Sequence, residues 1–182
     1  MEEREQKAIA EITRLKVRAS EMENEIASDD LKFSVWVAAF ATAGFGTVLL
    51  NANKIVETSW LPSRAGSYGI AAVQVMFAAA IIGAGLVQHL INARLLAGRE
   101  CNNLMNAQLA RVLSGHIPDA GDMIVNTIEG KYLAEDARAD LKSSEFKTGV
   151  LDERYKRWML IQTVLTGMAL VGLLIISLRF HL

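Results

Sequence analysis

The sequence predicts an all-α membrane protein with three transmembrane helices, and three observations predict it. The stretches 33–51, 69–92 and 158–178 contain no Asp, Glu, Lys or Arg. Each approaches or exceeds the roughly 20 helical residues that cross a hydrocarbon core about 30 Å thick. The charged residues gather in the intervening segments in an alternating pattern. A charge at the centre of a spanning helix costs about 2.5–3.5 kcal/mol on insertion scales, so stretches this clean are expected in lipid and unusual in water.

Charge layout then orients the chain. The tail 1–32 carries six Lys/Arg and nine Asp/Glu, and the segment 92–157 carries ten of each. The connection 52–68 holds only Lys54 and Arg64, and the tail 179–182 only Arg179, so sixteen of nineteen basic residues share one side if the spans alternate. Basic residues favour the cytoplasm. The expectation is a multi-pass protein of the cell (inner) membrane, with the N-terminus and residues 93–157 cytoplasmic, and with the 52–68 loop and the C-terminus extracytoplasmic. The first span follows 32 residues of mixed charge with no small-residue cleavage pattern, so it reads as a retained helix rather than a secretory signal. Cys101 is the single cysteine. It has no intrachain disulfide partner and is expected as a reduced thiol on a helix.

The tail is patterned as a helix. Ala8, Ile12, Leu15, Ala19, Met22 and Ile26 recur at alternating spacings of four and three, the seam of a coiled coil. The same count passes Asp29 and continues through Phe33, Trp36 and Phe40, and neither Gly nor Pro interrupts residues 1–43. One rod of about 50 residues, about 75 Å long, is expected to enter the membrane unbroken. A second stripe leaves the second span: Ile91, Leu95, Gly98, Asn102, Met105, Leu109 and Val112. This helix should stop near Ser114–Gly115, with Pro118 just beyond. The first two helices thus become long antiparallel coiled-coil-like arms, paired either within one subunit or between subunits. Asp29 and Asn102 fall where a lone polar seam residue selects register or oligomer state. From His116 to Lys156 the pattern gives a helical clasp: a short helix from Pro118 to Gly130, a second around 132–141, and a third capped by Ser143 or Ser144 that runs into the last span.

Within the spans, small residues recur at four-residue steps: Ala38, Thr42 and Gly46, then Ala39, Ala43 and Thr47, then Ala79 and Gly83 with Ala80 and Ala84, and Thr163 with Gly167. Such lines let helix backbones approach where lipid supplies no hydrophobic drive. Gln74, Gln88, His89 and Gln162 are the intramembrane polar candidates, as interhelical ties or, for His89, a proton-responsive group. Asn51, Asn53 and Glu57 stand at the outer end of the first span and Lys32 at its inner end, the two mouths of any pathway lined by that helix. Trp36, Trp60, Tyr68 and Trp158 fall near span boundaries, where amphipathic rings settle.

Little else points to chemistry. His89, His116 and His181 are widely separated in sequence, and one cysteine leaves no thiolate zinc pattern. Glu129-Gly130-Lys131-Tyr132 lacks the upstream glycine and the hydroxyl residue of a phosphate loop. No basic, aromatic-studded face suggests nucleic acid. Neither an enzyme nor a bound cofactor or metal is expected. The expected partners are membrane lipid, further copies of the chain and a cytoplasmic protein.

Two functional expectations follow: a homo-oligomeric ion channel or pore lined by the first span, or a non-conducting anchor whose cytoplasmic arms recruit a partner. Ala43-Gly44-Phe45 with Val48, the pair His89-Leu90 and the opening Trp158 resemble the three corresponding spans of Orai-type calcium channels. That resemblance implies a pore along the first span. The chain departs from the family in lacking an acid at the outer pore entrance, where Ala52 stands between Asn51 and Asn53, and in lacking a fourth span.

Overall fold

The computed structural model describes residues 3–114 and 133–177. They form three helices, α1 (Glu3–Thr58), α2 (Ser63–Leu113) and α3 (Glu135–Ser177), with no strand among them. All three are long and apolar enough to cross a membrane. The first short helix expected at 118–130 lies outside the described residues.

Helix ends are closed by local chemistry. α1 ends where the Ser59 N–H donates to the Val56 carbonyl at 3.3 Å and the Ser59 hydroxyl accepts from the Leu61 N–H at 3.1 Å. The Pro62 carbonyl then accepts from Gly66 at 2.9 Å, starting α2. The connection is therefore only residues 59–62, tighter than the span limits suggested, because Asn51, Asn53 and Glu57 continue the helix beyond the apolar stretch. Ser114 closes α2 twice, by its N–H to Ala110 and its hydroxyl to Arg111, satisfying last-turn carbonyls that otherwise lack partners. Glu135 and Asp136 sit in the first turn of α3, where their charge suits the helix dipole.

The expected break between a helix around 132–141 and another from Ser143 is absent: α3 is one helix. The Ser144 hydroxyl donates to the Glu100 carboxylate at 2.9 Å rather than capping a new helix, so nothing interrupts the backbone ladder there.

The chain divides into two compact units. The charged unit comprises Met1–Asp29 and Ile91–Asp152; the apolar unit comprises Asp30–Leu90 and Glu153–Leu182. In the apolar unit, Ala41 and Val48 of α1, Ile70, Val73, Phe77 and Ala80 of α2, and Ala169 and Ile176 of α3 form the core. Gly44 gives Phe77 its seat: a Cβ there would overlap the ring. The Trp60 indole N–H donates to the Ile175 carbonyl at 2.9 Å, fastening the 59–62 turn to α3. The charged unit has a smaller core of Cys101, Met105, Leu133 and Leu141, with Val17, Leu104 and Ala137 against it. There α1 and α2 run antiparallel, as Asn24 meets Gly98 while Val17, two turns earlier, meets the Cys101–Met105 cluster.

In the charged unit, the face of α1 turned inward is not the expected seam. Ala10, Thr13 and Ala27 are buried, with Val17, Ser20 and Asn24 half-buried between them. Leu15, Met22 and Ile26 stand 58, 58 and 56% exposed. On α2 the expected stripe does face inward, with Ile91, Gly98 and Met105 buried.

Candidate functional site

The apolar unit holds a polar seam between α1 and α3. Asp30 and Ser34 lie one turn apart on α1; Tyr155 and Gln162 lie two turns apart on α3. The Tyr155 hydroxyl donates to Asp30 Oδ2 at 2.9 Å. The Ser34 hydroxyl donates to Gln162 Oε1 at 3.0 Å, and Gln162 Nε2 donates back to the Ser34 carbonyl at 3.0 Å. Both ties advance in the same chain sense, so the two helices run parallel. Ser34, Tyr155 and Gln162 are fully buried. An unpaired amide in this setting carries a large desolvation cost, and here every polar atom of the Gln162 side chain is engaged.

The outward face of α1 in this unit is mixed: Phe33, Trp36, Phe40, Leu49 and Leu50 are exposed, and small and polar residues stand beside them. Thr42, Ala43, Thr47 and Asn51 are exposed, and a Cβ on Gly46 would meet nothing within 4 Å. The Thr42 and Thr47 hydroxyls and the Asn51 amide each donate to the carbonyl one turn back, at 2.8, 2.9 and 3.0 Å. By contrast α3 turns Leu160, Ile161, Val164, Met168, Val171 and Leu174 outward.

The charged unit is built around Arg94, 3% exposed. Its guanidinium donates to Asn24 Oδ1 and, at 3.2 Å, to Glu23 Oε2, while Asp152 Oδ1 lies 3.7 Å from Nε. Three helices thus converge on one buried cation. Gly98 permits this, because a Cβ there would collide with the Asn24 amide. Beside it a cavity of about 220 Å³ is lined by Lys16, Glu23, Arg94, Cys101, Glu145 and Thr148, among others. Lys16 Nζ lies 3.7 Å from Glu145 Oε1. Burial pushes the Cys101 thiol pKa above its ordinary 9.0; Glu145 raises it further and Lys16 opposes. A thiol so held is a poor nucleophile.

Of the residues singled out from sequence, Gln162 is a fully buried tie to Ser34. Gln74 and Gln88 are half-buried and His89 is exposed. Asn51, Asn53 and Glu57 are exposed on α1, and Lys32, also exposed, lies on the same helix about 28 Å before Asn51 at the helical rise. Asp29 is exposed; Asn102 is half-buried, with Oδ1 shielded from solvent and making no hydrogen bond among the described residues. Sequence reasoning passed over Ser34, Tyr155 and Arg94. The available signal for Ser34 was a stripe of small and polar residues (Ala10, Thr13, Ser20, Asn24, Ala27, Ser34, Ala41) at steps of three, four and seven residues. No group of three or more His, Cys, Asp or Glu among the described residues is arranged to hold a metal ion. Comparison with protein-family models, with curated proteins and with solved structures gives no match to this chain.

Proposed function

We propose that the chain is a multi-pass protein of the cell (inner) membrane that self-associates through α1 and conducts ions along a path lined by that helix. One observation carries the reading: beside its exposed Leu49 and Leu50, α1 presents a line of exposed small and polar residues, Thr42, Ala43, Thr47 and Asn51, whereas the exposed residues of α3 from 160 to 175 are all bulky except Gly167. Small side chains gain little from lipid but allow close helix approach. A ring of threonine hydroxyls and asparagine amides, repeated by symmetry, offers oxygens to a passing ion. Lys32 stands at one end of this helix segment, and Asn51, Asn53 and Glu57 at the other.

The charge layout supports a cytoplasmic N-terminus and an extracytoplasmic C-terminus, with the charged-unit parts of α1, α2 and α3 as cytoplasmic arms. No catalysis enters the reading. The test is ion flux through liposomes containing purified protein. Flux is expected, with selectivity altered by Glu57→Gln or Asn53→Asp. A monodisperse monomer that passes no ion overturns the proposal.

A second reading, a non-conducting anchor that recruits a partner, draws on the Arg94 cluster. A charged unit with its own core and ion-paired centre is a suitable capture module. It predicts that deleting residues 1–28 abolishes partner capture while leaving membrane insertion intact.

A further inference from the structure

We infer that the exposed stripe Leu15–Met22–Ile26 of α1 is a docking surface for α1 of a second copy of this chain, paired parallel and in register. The inference rests on the self-association proposed above and extends it to the charged unit. α1 carries two seams. With Ile12, Ala19 and Ile26 at heptad position a, and Leu15 and Met22 at d, the residues turned into the chain's own unit (Ala10, Thr13, Val17, Ser20, Asn24, Ala27) fall at b and f. At 100° per residue the two seams lie about 150° apart around the helix. One seam is satisfied within the chain, whereas the other, richer in large aliphatics, is half-buried at Ile12 and exposed from Leu15 to Ile26.

The occupant follows from orientation and charge. Every copy inserts in the same sense, so a closed pair about an axis along the membrane normal brings its α1 helices together parallel. In a parallel pair, position g of one helix faces position e of the next heptad on the other. Glu11 at g then faces Lys16 of the second copy, and Arg18 faces Glu23 of the second copy; both contacts are complementary. The side chains at e are already held in place, Lys16 by Glu145 and Glu23 by Arg94, yet the Glu23 side chain remains 66% exposed. Glu11 and Arg18 are exposed as well. Ile12 and Ile26 at a with Leu15 at d match the pattern that favours two strands, while Ala19 at a and Met22 at d depart from it. The next pair, Glu25 with Asp30, is like-charged and Asp29 occupies d, so the pairing closes just after Ile26. So few heptads are marginal alone; tethering both helices to membrane spans supplies the effective concentration they need.

The experiment places Leu15→Cys in the full chain and measures cross-linking by a short bis-maleimide in proteoliposomes, with Phe146→Cys, 74% exposed on α3 of the same unit, as comparison. Strong dimer formation at position 15 and weak formation at 146 are expected. Adding Glu11→Lys with Arg18→Glu sets like charges face to face. Yield should then fall at least about tenfold at low salt and recover in part at high salt. Met22→Lys supplies a second disruption at an exposed position. In both variants Cys101 should stay as slow to alkylate as before, which reports an intact unit. Equal yields at 15 and 146, or yields indifferent to both disruptions, overturn the inference. If Thr47→Cys still cross-links in those cases, association through the spans stands without this surface. Flux assays address conduction separately.

Discussion

Gln162 on α3 grips a single residue of α1, Ser34, from both sides of its amide: Oε1 accepts the hydroxyl and Nε2 donates to the carbonyl, each at 3.0 Å. The carbonyl already serves the α1 ladder, so the amide uses its second lone pair. This contact fixes both the rotation and the axial position of two parallel helices in a medium where apolar contact alone is permissive.

Replacing Gln162 with Leu removes the tie without leaving a buried amide behind. Interhelical hydrogen bonds in membranes are worth about 0.6–2 kcal/mol, so destabilisation in that range is expected. A double-mutant cycle with Ser34→Ala, read by unfolding in mixed micelles, should show coupling smaller than the Gln162 loss, because the bond to the Ser34 carbonyl survives in the alanine variant; strictly additive losses would contradict the hydroxyl bond.

Arg94 gives an asymmetric prediction. Glu23→Gln with Asp152→Asn leaves a buried cation facing neutral groups and should cost about 3 kcal/mol, the low end for broken buried pairs because Glu23 is largely exposed. Arg94→Met removes the charge and fills similar volume, and should cost less than half as much. The rate at which Cys101 becomes alkylated, a reporter lying in the same unit, ranks the variants.

The raised Cys101 pKa sets an alkaline dependence. The fold favours the protonated thiol, so its contribution is complete below pH 9 and is lost as pH climbs from the ordinary 9.0 through the raised value. Thermal midpoints of the native chain should fall more steeply above pH 9 than those of Cys101→Ala. Parallel curves would show that the thiol does not titrate in this way.

Two glycines on one turn of α1 should behave differently. At Gly44 an added methyl meets the Phe77 ring, which is fully buried, so Gly44→Ala must displace it and should cost about 1–3 kcal/mol. Gly46→Ala meets nothing and should leave the monomer's stability within about 0.5 kcal/mol. Gly46→Leu should selectively reduce cross-linking at Thr47→Cys if that face joins copies.

The helices were legible because absent charge and length are direct physical requirements of a spanning helix, and the three that form are long and apolar enough to cross. The inward face of α1 was less so. Periodicity of large aliphatics selects Leu15, Met22 and Ile26, whereas the inward face uses Thr13, Ser20 and Asn24, and Asn24 finds its partner, Arg94, only in three dimensions. Arg94 was hidden for the same reason: a lone basic residue just past a span reads as solvated until Glu23, Asn24 and Asp152, distant in sequence, are seen around it. The rise in polarity at Asn51 marks the outer end of the apolar stretch but not the end of the helix, whose backbone ladder continues to Thr58.

The two-faced α1 separates how substitutions would behave in mixed populations. A change at Thr13 or Asn24 damages the molecule that carries it but leaves the outer face able to engage normal copies, so it should act dominantly in a cell expressing both. A change at Leu15 or Met22, on the face proposed to meet another copy, withdraws the altered molecule from that pairing, so unaltered copies should rescue the cell. Genetics could therefore tell the two arcs of one helix apart before any complex is purified.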